Sequence, residues 1–154
     1  MYYSGLDHIG FTVSSLDRAV EWYTFFLDEP PVLRDIWDFD YVGRMVGYPD
    51  VKIACAFWNL SRDVTLELVE YIEPKPGTVE METNNVGNAH LCLTVNDLDA
   101  DFERLRGRVA FRHPEPVVIP WGPYKGGKAC YVRDPDGISI QLMQLPPGGP
   151  TFRE

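Results

Sequence analysis

DHIGFTVSSLDRAVEWY, Asp7 to Tyr23, decides the fold because the chain contains it twice. The second copy is AHLCLTVNDLDADFERL, Ala89 to Leu105. At an offset of 82, His8 falls on His90, Thr12 on Thr94, Val13 on Val95, Leu16-Asp17 on Leu98-Asp99 and Glu21 on Glu103. Further on, Thr65-Leu-Glu-Leu-Val69 matches Ser139-Ile-Gln-Leu-Met143 at an offset of 74, so the second copy is eight residues shorter. Two long copies are too few for a solenoid and describe one module used twice.

Each copy opens with a strand signal. Ile9, Phe11 and Val13 alternate with His8, Gly10 and Thr12, the period of a half-buried strand. Ser14-Ser-Leu-Asp17 then reads as a capping box with Ser14 as the cap, and Asn96-Asp-Leu-Asp99 as its counterpart. Leu16, Val20, Tyr23 and Leu27 have helical spacing, as do Leu98, Phe102 and Leu105. Glu29-Pro-Pro31 stops the first helix. Residues 32–60 are expected to hold at least two strands, the first around the alternating Trp37-Asp38-Phe39-Asp40-Tyr41 and the second over 51–60, with Gly47-Tyr-Pro-Asp50 as a turn between them. A strand over 64–71 puts Leu66 and Leu68 on one face and Thr65, Glu67, Val69 and Tyr71 on the other. In the second copy, strands are expected near 109–111, 117–120, 128–132 and 138–145, with Arg133-Asp-Pro-Asp-Gly137 as a turn.

The 154 residues fit one domain of two β-α-β-β-β modules. Module one is 5–72, a Pro/Gly/Asn-rich linker 73–88, module two 89–145, and a Pro/Gly-rich, mobile tail 146–154. A net charge of −9 without a Lys/Arg-rich run argues against a nucleic-acid partner. No signal peptide or spanning segment is read, so no membrane partner and a cytoplasmic location are expected. Cys55, Cys92 and Cys130 lie in apolar stretches and read as buried, reduced thiols.

In each module the polar face of the first strand begins with a histidine, His8 or His90, and that of the last strand carries Glu67 or Gln141. Two imidazoles with one carboxylate suit divalent metals, including the facial triad of non-haem Fe(II) oxygenases. Alternation leaves the other face of each strand to pack on the module's helix.

Leu6-Asp-His-Ile-Gly10, Leu66-Glu-Leu68, His90 with Val95-Asn-Asp-Leu98, and Asp134-Pro-Asp-Gly137 leading to Gln141 resemble the vicinal oxygen chelate superfamily. That superfamily includes glyoxalase I, bleomycin-resistance proteins, extradiol dioxygenases and methylmalonyl-CoA epimerases. The resemblance spans about residues 5–145. It implies an α+β fold whose two modules form a curved, barrel-like mixed sheet with a concave metal or ligand site. It also implies a homodimer and a small-molecule substrate. His8, Glu67 and His90 fall on family metal ligands, and Gln141 falls where many members have glutamate. The implied cofactor is a divalent ion: Fe, Mn, Co, Ni or Zn.

Glutamine can offer a carbonyl oxygen to a metal or a hydrogen bond to a substrate, but it cannot serve as a general base. One carboxylate fewer also leaves a divalent centre more positive, and so a better Lewis acid. Both points tilt away from the two-glutamate glyoxalase I route. The implied function is a metal-dependent enzyme of isomerase, epimerase or lyase type, with an Fe(II) extradiol-type dioxygenase as the alternative. A metal-free drug- or metabolite-binding protein is the rival class, and a purely structural or interaction protein a third. The base is open: Tyr71 shares the Glu67 face, Tyr124 and Lys125 lie in the loop 121–127, and Asp38, Asp40 and Asp50 lie in module one. Trp37, Tyr41, Trp58 and Trp121 are candidate pocket walls. His113, Asp134 and Asp136 read as turn residues.

Overall fold

The computed structural model describes residues 2–153 and is α+β, with three α-helices and two mixed sheets among those residues. The chain divides into two compact units, Met1–Val79 and Glu80–Glu154, and the division falls inside the linker segment. In the first unit the order is β1 (His8–Thr12), α1 (Leu16–Leu27), β2 (Leu33–Trp37), α2 (Asp40–Val46), β3 (Lys52–Asn59) and β4 (Thr65–Glu73). Its sheet runs β1-β4-β3-β2, with β1 parallel to β4 and the other pairs antiparallel. The second unit has β5 (His90–Thr94), α3 (Leu98–Leu105), β6 (Ala110–Phe111), β7 (Val117–Val118), β8 (Lys128–Arg133) and β9 (Ser139–Gln144). Its sheet runs β5-β9-β8-β6, and β7 also pairs with β8. Neither sheet closes on itself.

Alternation in the strands sorts side chains as the pattern requires. On β4, Leu66 and Leu68 are fully buried beneath α1, while Thr65, Glu67, Val69 and Tyr71 look the other way. The helix buries Leu16, Ala19, Tyr23 and Phe26, and Tyr23 meets the buried Trp58 of β3 at 5.9 Å between ring centroids. Val20 and Leu27, expected on this face, are only half-buried, because the 3.6-residue pitch carries the core stripe through 19 and 26 instead. In the second unit α3 buries Leu98, Phe102 and Leu105 as expected, with Phe102 4.4 Å from Phe111. Each large apolar side chain so buried contributes about 1.5–3 kcal/mol.

Both helix caps lie one residue beyond the expected position. Ser15, not Ser14, caps α1, its Oγ accepting from Arg18 N; Asp97, not Asn96, caps α3, its Oδ1 accepting from Ala100 N at 3.0 Å. Ser14 Oγ instead accepts from Arg18 Nη2 at 2.7 Å. The repeated aspartates Asp17 and Asp99 each pair with a strand cation, Arg34 and Lys128.

The first unit keeps the expected β-α-β-β-β order and adds a short helix within it. The strand expected around residues 37–41 ends at Trp37, and Asp40–Val46 forms α2. Val42 of α2 buries itself with Val51 and Ile53, and Trp37, Val46, Val69 and Tyr71 pack around them. Gly43 permits the turn that follows: a Cβ there would lie 2.7 Å from Tyr48 O. Gly47, at φ 80°, ends the helix in the left-handed region. In the tail, Thr151 N donates to Pro123 O at 3.1 Å, and Phe152 meets Tyr124 edge-on at 5.2 Å.

Candidate functional site

Strand register assembles each candidate pair. In the first unit His8 is opposite Thr65, and Gly10 opposite Glu67, on parallel neighbours. This brings His8 Nε2 within 3.5 Å of Glu67 Oε2. The other ring nitrogen, Nδ1, lies 2.8 Å from Asp7 Oδ2. His8 is about half exposed and the Glu67 side chain 18% exposed, so both are within reach of solvent. Phe57 is opposite Glu67 across β3, and Trp37 meets Phe57 at 5.8 Å, giving this face an apolar flank. Cys55 lies on the same face. Burial, then the charges of Glu67 and Asp35, push its thiol up to about 11.

The second unit repeats the arrangement with different chemistry. His90 is opposite Ser139, Cys92 opposite Gln141, and Tyr131 opposite Gln141 on the far side. The Tyr131 hydroxyl donates to Gln141 Oε1 at 3.0 Å and lies 3.3 Å from His90 Nε2. Burial holds the Tyr131 phenol above the usual tyrosine range, Cys92 adds to this, and Arg112 opposes it. Sequence reasoning missed Tyr131. The offset of 74 that matches Glu67 to Gln141 also matches Phe57 to Tyr131, and that signal was available. Cys92 corrects the expectation of three buried thiols: it is exposed, because alternation puts it on the His90 face.

Next to this cluster, Glu82 accepts from Arg112 Nη1 at 3.1 Å and from Arg133 Nη2 at 2.6 Å. Arg112 Nη2 also donates to Ser139 Oγ at 3.1 Å. These bonds tie the linker to the second sheet.

The other candidates lie elsewhere. Tyr71 shares the Glu67 face but sits four residues, about 13 Å of strand, further along; there it packs with the α2 cluster and meets Tyr48 edge-on at 6.1 Å. Tyr124 is in the loop before β8, against Phe152. Asp38, Asp40 and Asp50 line a cavity of about 290 Å³ at α2 whose walls include neither His8 nor Glu67. Trp58 is core, donating Nε1 to Glu29 O at 3.0 Å, so it lines no pocket. Tyr41 stacks on Phe39, and Trp121 is 79% exposed. His113 Nδ1 lies 2.9 Å from Glu115 O in a surface turn. Asp134 Oδ1 accepts from Asp136 N and Ile138 N, forming the expected turn.

Among the described residues no group of three or more His, Cys, Asp or Glu is arranged so that it could hold a metal ion. What each unit offers is a pair: imidazole with carboxylate in the first, imidazole with amide oxygen in the second. The first pair fits a divalent cation on chemical grounds. A neutral imidazole has one N–H, yet each nitrogen of His8 faces a carboxylate oxygen. With the proton on Nδ1 toward Asp7, Nε2 and Glu67 Oε2 present lone pairs to each other, an arrangement that either a divalent cation or a second ring proton satisfies. A carboxylate fixing the far nitrogen is also the usual support of a metal-bound histidine. Gly10 keeps the space clear, since a Cβ there would lie 3.3 Å from Glu67 Oε2.

Residues 5–142 match the model of the Glyoxalase/Bleomycin resistance protein/Dioxygenase superfamily. The chain belongs to this superfamily. Among superfamily relatives, it is 31% identical over 149 residues to a 2-epi-5-epi-valiolone epimerase of an Actinomyces species, covering 94% of this chain and 81% of the relative. It is 26% identical over 142 residues to a probable lactoylglutathione lyase of Vibrio cholerae, covering 89% and 88%. Its fold is similar to that of a glyoxalase family protein from Bacillus cereus, with a TM-score of 0.78 at 20% identity over 95% of this chain and 97% of the other. No helix among the described residues is long and apolar enough to cross a membrane.

Proposed function

We propose that this superfamily member is a divalent-metal-dependent isomerase of the epimerase type, with His8 and Glu67 of the first unit and His90 and Gln141 of the second as candidate metal ligands. Its substrate would be a small molecule presenting oxygens to the metal. The observation that carries this reading is His8 beside two carboxylates, Asp7 at 2.8 Å and Glu67 at 3.5 Å, with Nε2 and Glu67 Oε2 turned to the same point. Similarity to an epimerase at 31% identity supports the reaction type. A bound divalent ion would supply Lewis acidity to a substrate oxygen and lower the barrier to removing a proton from the adjacent carbon.

The chain's own residues divide the remaining tasks. Asp7 fixes the tautomer and angle of His8. Glu67 is the carboxylate of the set and so the member able to accept a proton; Gln141 offers only its amide oxygen and N–H groups. Trp37 and Phe57 give an apolar flank beside Glu67 for the carbon skeleton of a substrate.

The test is the metal content of untagged protein by elemental mass spectrometry, beside a His8→Ala/His90→Ala double variant. Solvent-deuterium incorporation at carbon is followed by NMR on the same samples, with 2-epi-5-epi-valiolone as the probe. Near-stoichiometric metal lost in the variant, with deuterium exchange that follows the metal, supports the proposal. A wild type that takes no metal after reconstitution would overturn it. Metal binding without carbon-proton exchange in that probe would overturn the epimerase type.

A further inference from the structure

The two modules differ at two facing positions at once. Glu67 has Phe57 as its register neighbour, whereas Gln141 has Tyr131. Chemistry connects the changes. A carboxylate has two equivalent oxygens, so it offers a cation the same atom however it is turned. An amide has an oxygen at one end and an N–H donor at the other, and turning it over exchanges a ligand for a group that repels a cation. An amide ligand therefore needs a neighbour that tells its ends apart. A carboxylate does not, and a phenylalanine beside it suffices.

We infer that Tyr131 is the positioning residue that holds Gln141 in its metal-ligating orientation. Its hydroxyl donates to Oε1 at 3.0 Å and lies 3.3 Å from His90 Nε2, so the amide oxygen is held on the side of the ligating histidine nitrogen. The phenol's single proton goes to Oε1, which leaves the Nε2 lone pair unclaimed by it when the ring proton is on Nδ1. His90 and Gln141 would hold a metal through Nε2 and Oε1, with Oε1 still the acceptor of that proton. The inference rests on the metal-dependent reading above and extends it: Gln141, a ligand in that reading, is oriented by Tyr131, which acts through it.

Coupling between the two residues tests this without any assay of activity. Zinc affinity is measured by competition with a chromophoric chelator for wild type, Tyr131→Phe, Gln141→Glu and the double variant. Circular dichroism confirms that each is folded. Tyr131→Phe is expected to weaken zinc binding roughly tenfold beside glutamine. Beside glutamate, whose oxygens are equivalent, the same substitution should change affinity by less than about twofold. An equal loss in both backgrounds would overturn the inference, since Tyr131 would then act through His90 or the fold. No loss beside glutamine would overturn it too, and leave the metal-dependent reading standing. A folded wild type that takes no zinc at all removes both.

Discussion

Register places three pairs of residues in equivalent positions around the candidate ligands, and each pair differs. Gly10, Glu67 and Phe57 form one row; Cys92, Gln141 and Tyr131 form the other. The first row is open and acidic, and the second is filled and neutral. Gly10 is the residue to probe, because its missing side chain leaves the Glu67 carboxylate free. A Cβ at that position would lie 3.3 Å from Oε2, closer than ordinary contact, so the carboxylate must yield by a few tenths of an ångström. Gly10→Ala is expected to weaken zinc affinity several-fold while changing unfolding free energy by less than about 1 kcal/mol. Chelator competition and urea denaturation on the same samples check both halves. Unchanged affinity would mean that Glu67 does not need its present position. The histidines, Glu67 and Gln141 were legible in the sequence because a repeat marks its own equivalent positions. Tyr131 was not singled out because a lone aromatic in a strand reads as packing until its partners are known.

Among the elements, the helices show what repeats carry and what they hide. In both units the last strand supplies an acceptor to the first turn of the helix. Glu70 Oε2 accepts from Leu16 N at 2.7 Å, and Gln144 Oε1 from Leu98 N at 2.9 Å. These side chains satisfy N–H groups that have no partner within the helix. Glu70→Ala and Gln144→Ala are each expected to cost about 1–2 kcal/mol in urea unfolding, by leaving a part-buried donor unpaired. Glu70→Gln keeps an acceptor and should cost less than half as much. Equal losses for alanine and glutamine would show that the charge matters rather than the bond.

The sequence marked both long helices, their buried stripes nearly in full, and the turn at 133–137. It misplaced both caps by one residue because Ser14-Ser15 and Asn96-Asp97 each offer two capping side chains in a row. Only backbone geometry decides between them. Helix α2 was hidden for a different reason. It has two turns, no side-chain cap and a glycine inside, and Trp37-Asp38-Phe39-Asp40-Tyr41 alternates like a strand. Burial of Val42 against Val51 and Ile53 overrides that local pattern.

At the scale of the whole molecule, an acidic chain of net charge −9 ties its linker down with two of its 14 cations. Hydrogen bonding from Arg112, with further help from Arg133, holds the Glu82 carboxyl below the ordinary glutamate range. The sign follows: the unfolded chain takes up this proton first as pH falls. The contribution is present above the ordinary glutamate range and is lost as pH drops through the lower, folded value. Wild type and Glu82→Gln are expected to differ most in melting temperature near neutral pH, and to converge between about pH 5 and pH 3. A difference that stays constant across that range would assign the bonds no part in acid stability.

The parallel pairing of β1 with β4, and of β5 with β9, also orders events during synthesis. In each unit the strand bearing the histidine leaves the ribosome first, yet its partner is the last strand of the same unit: His8 is seated against Thr65, and His90 against Ser139. The intervening strands can pair as antiparallel neighbours across shorter connections. Closing the longer loop costs more chain entropy and waits until the final strand is made. The strand that begins with the histidine is therefore the earliest strand of each unit to exist and is expected among the last to be ordered, and a chain stalled before residue 65 carries His8 with no strand to receive it.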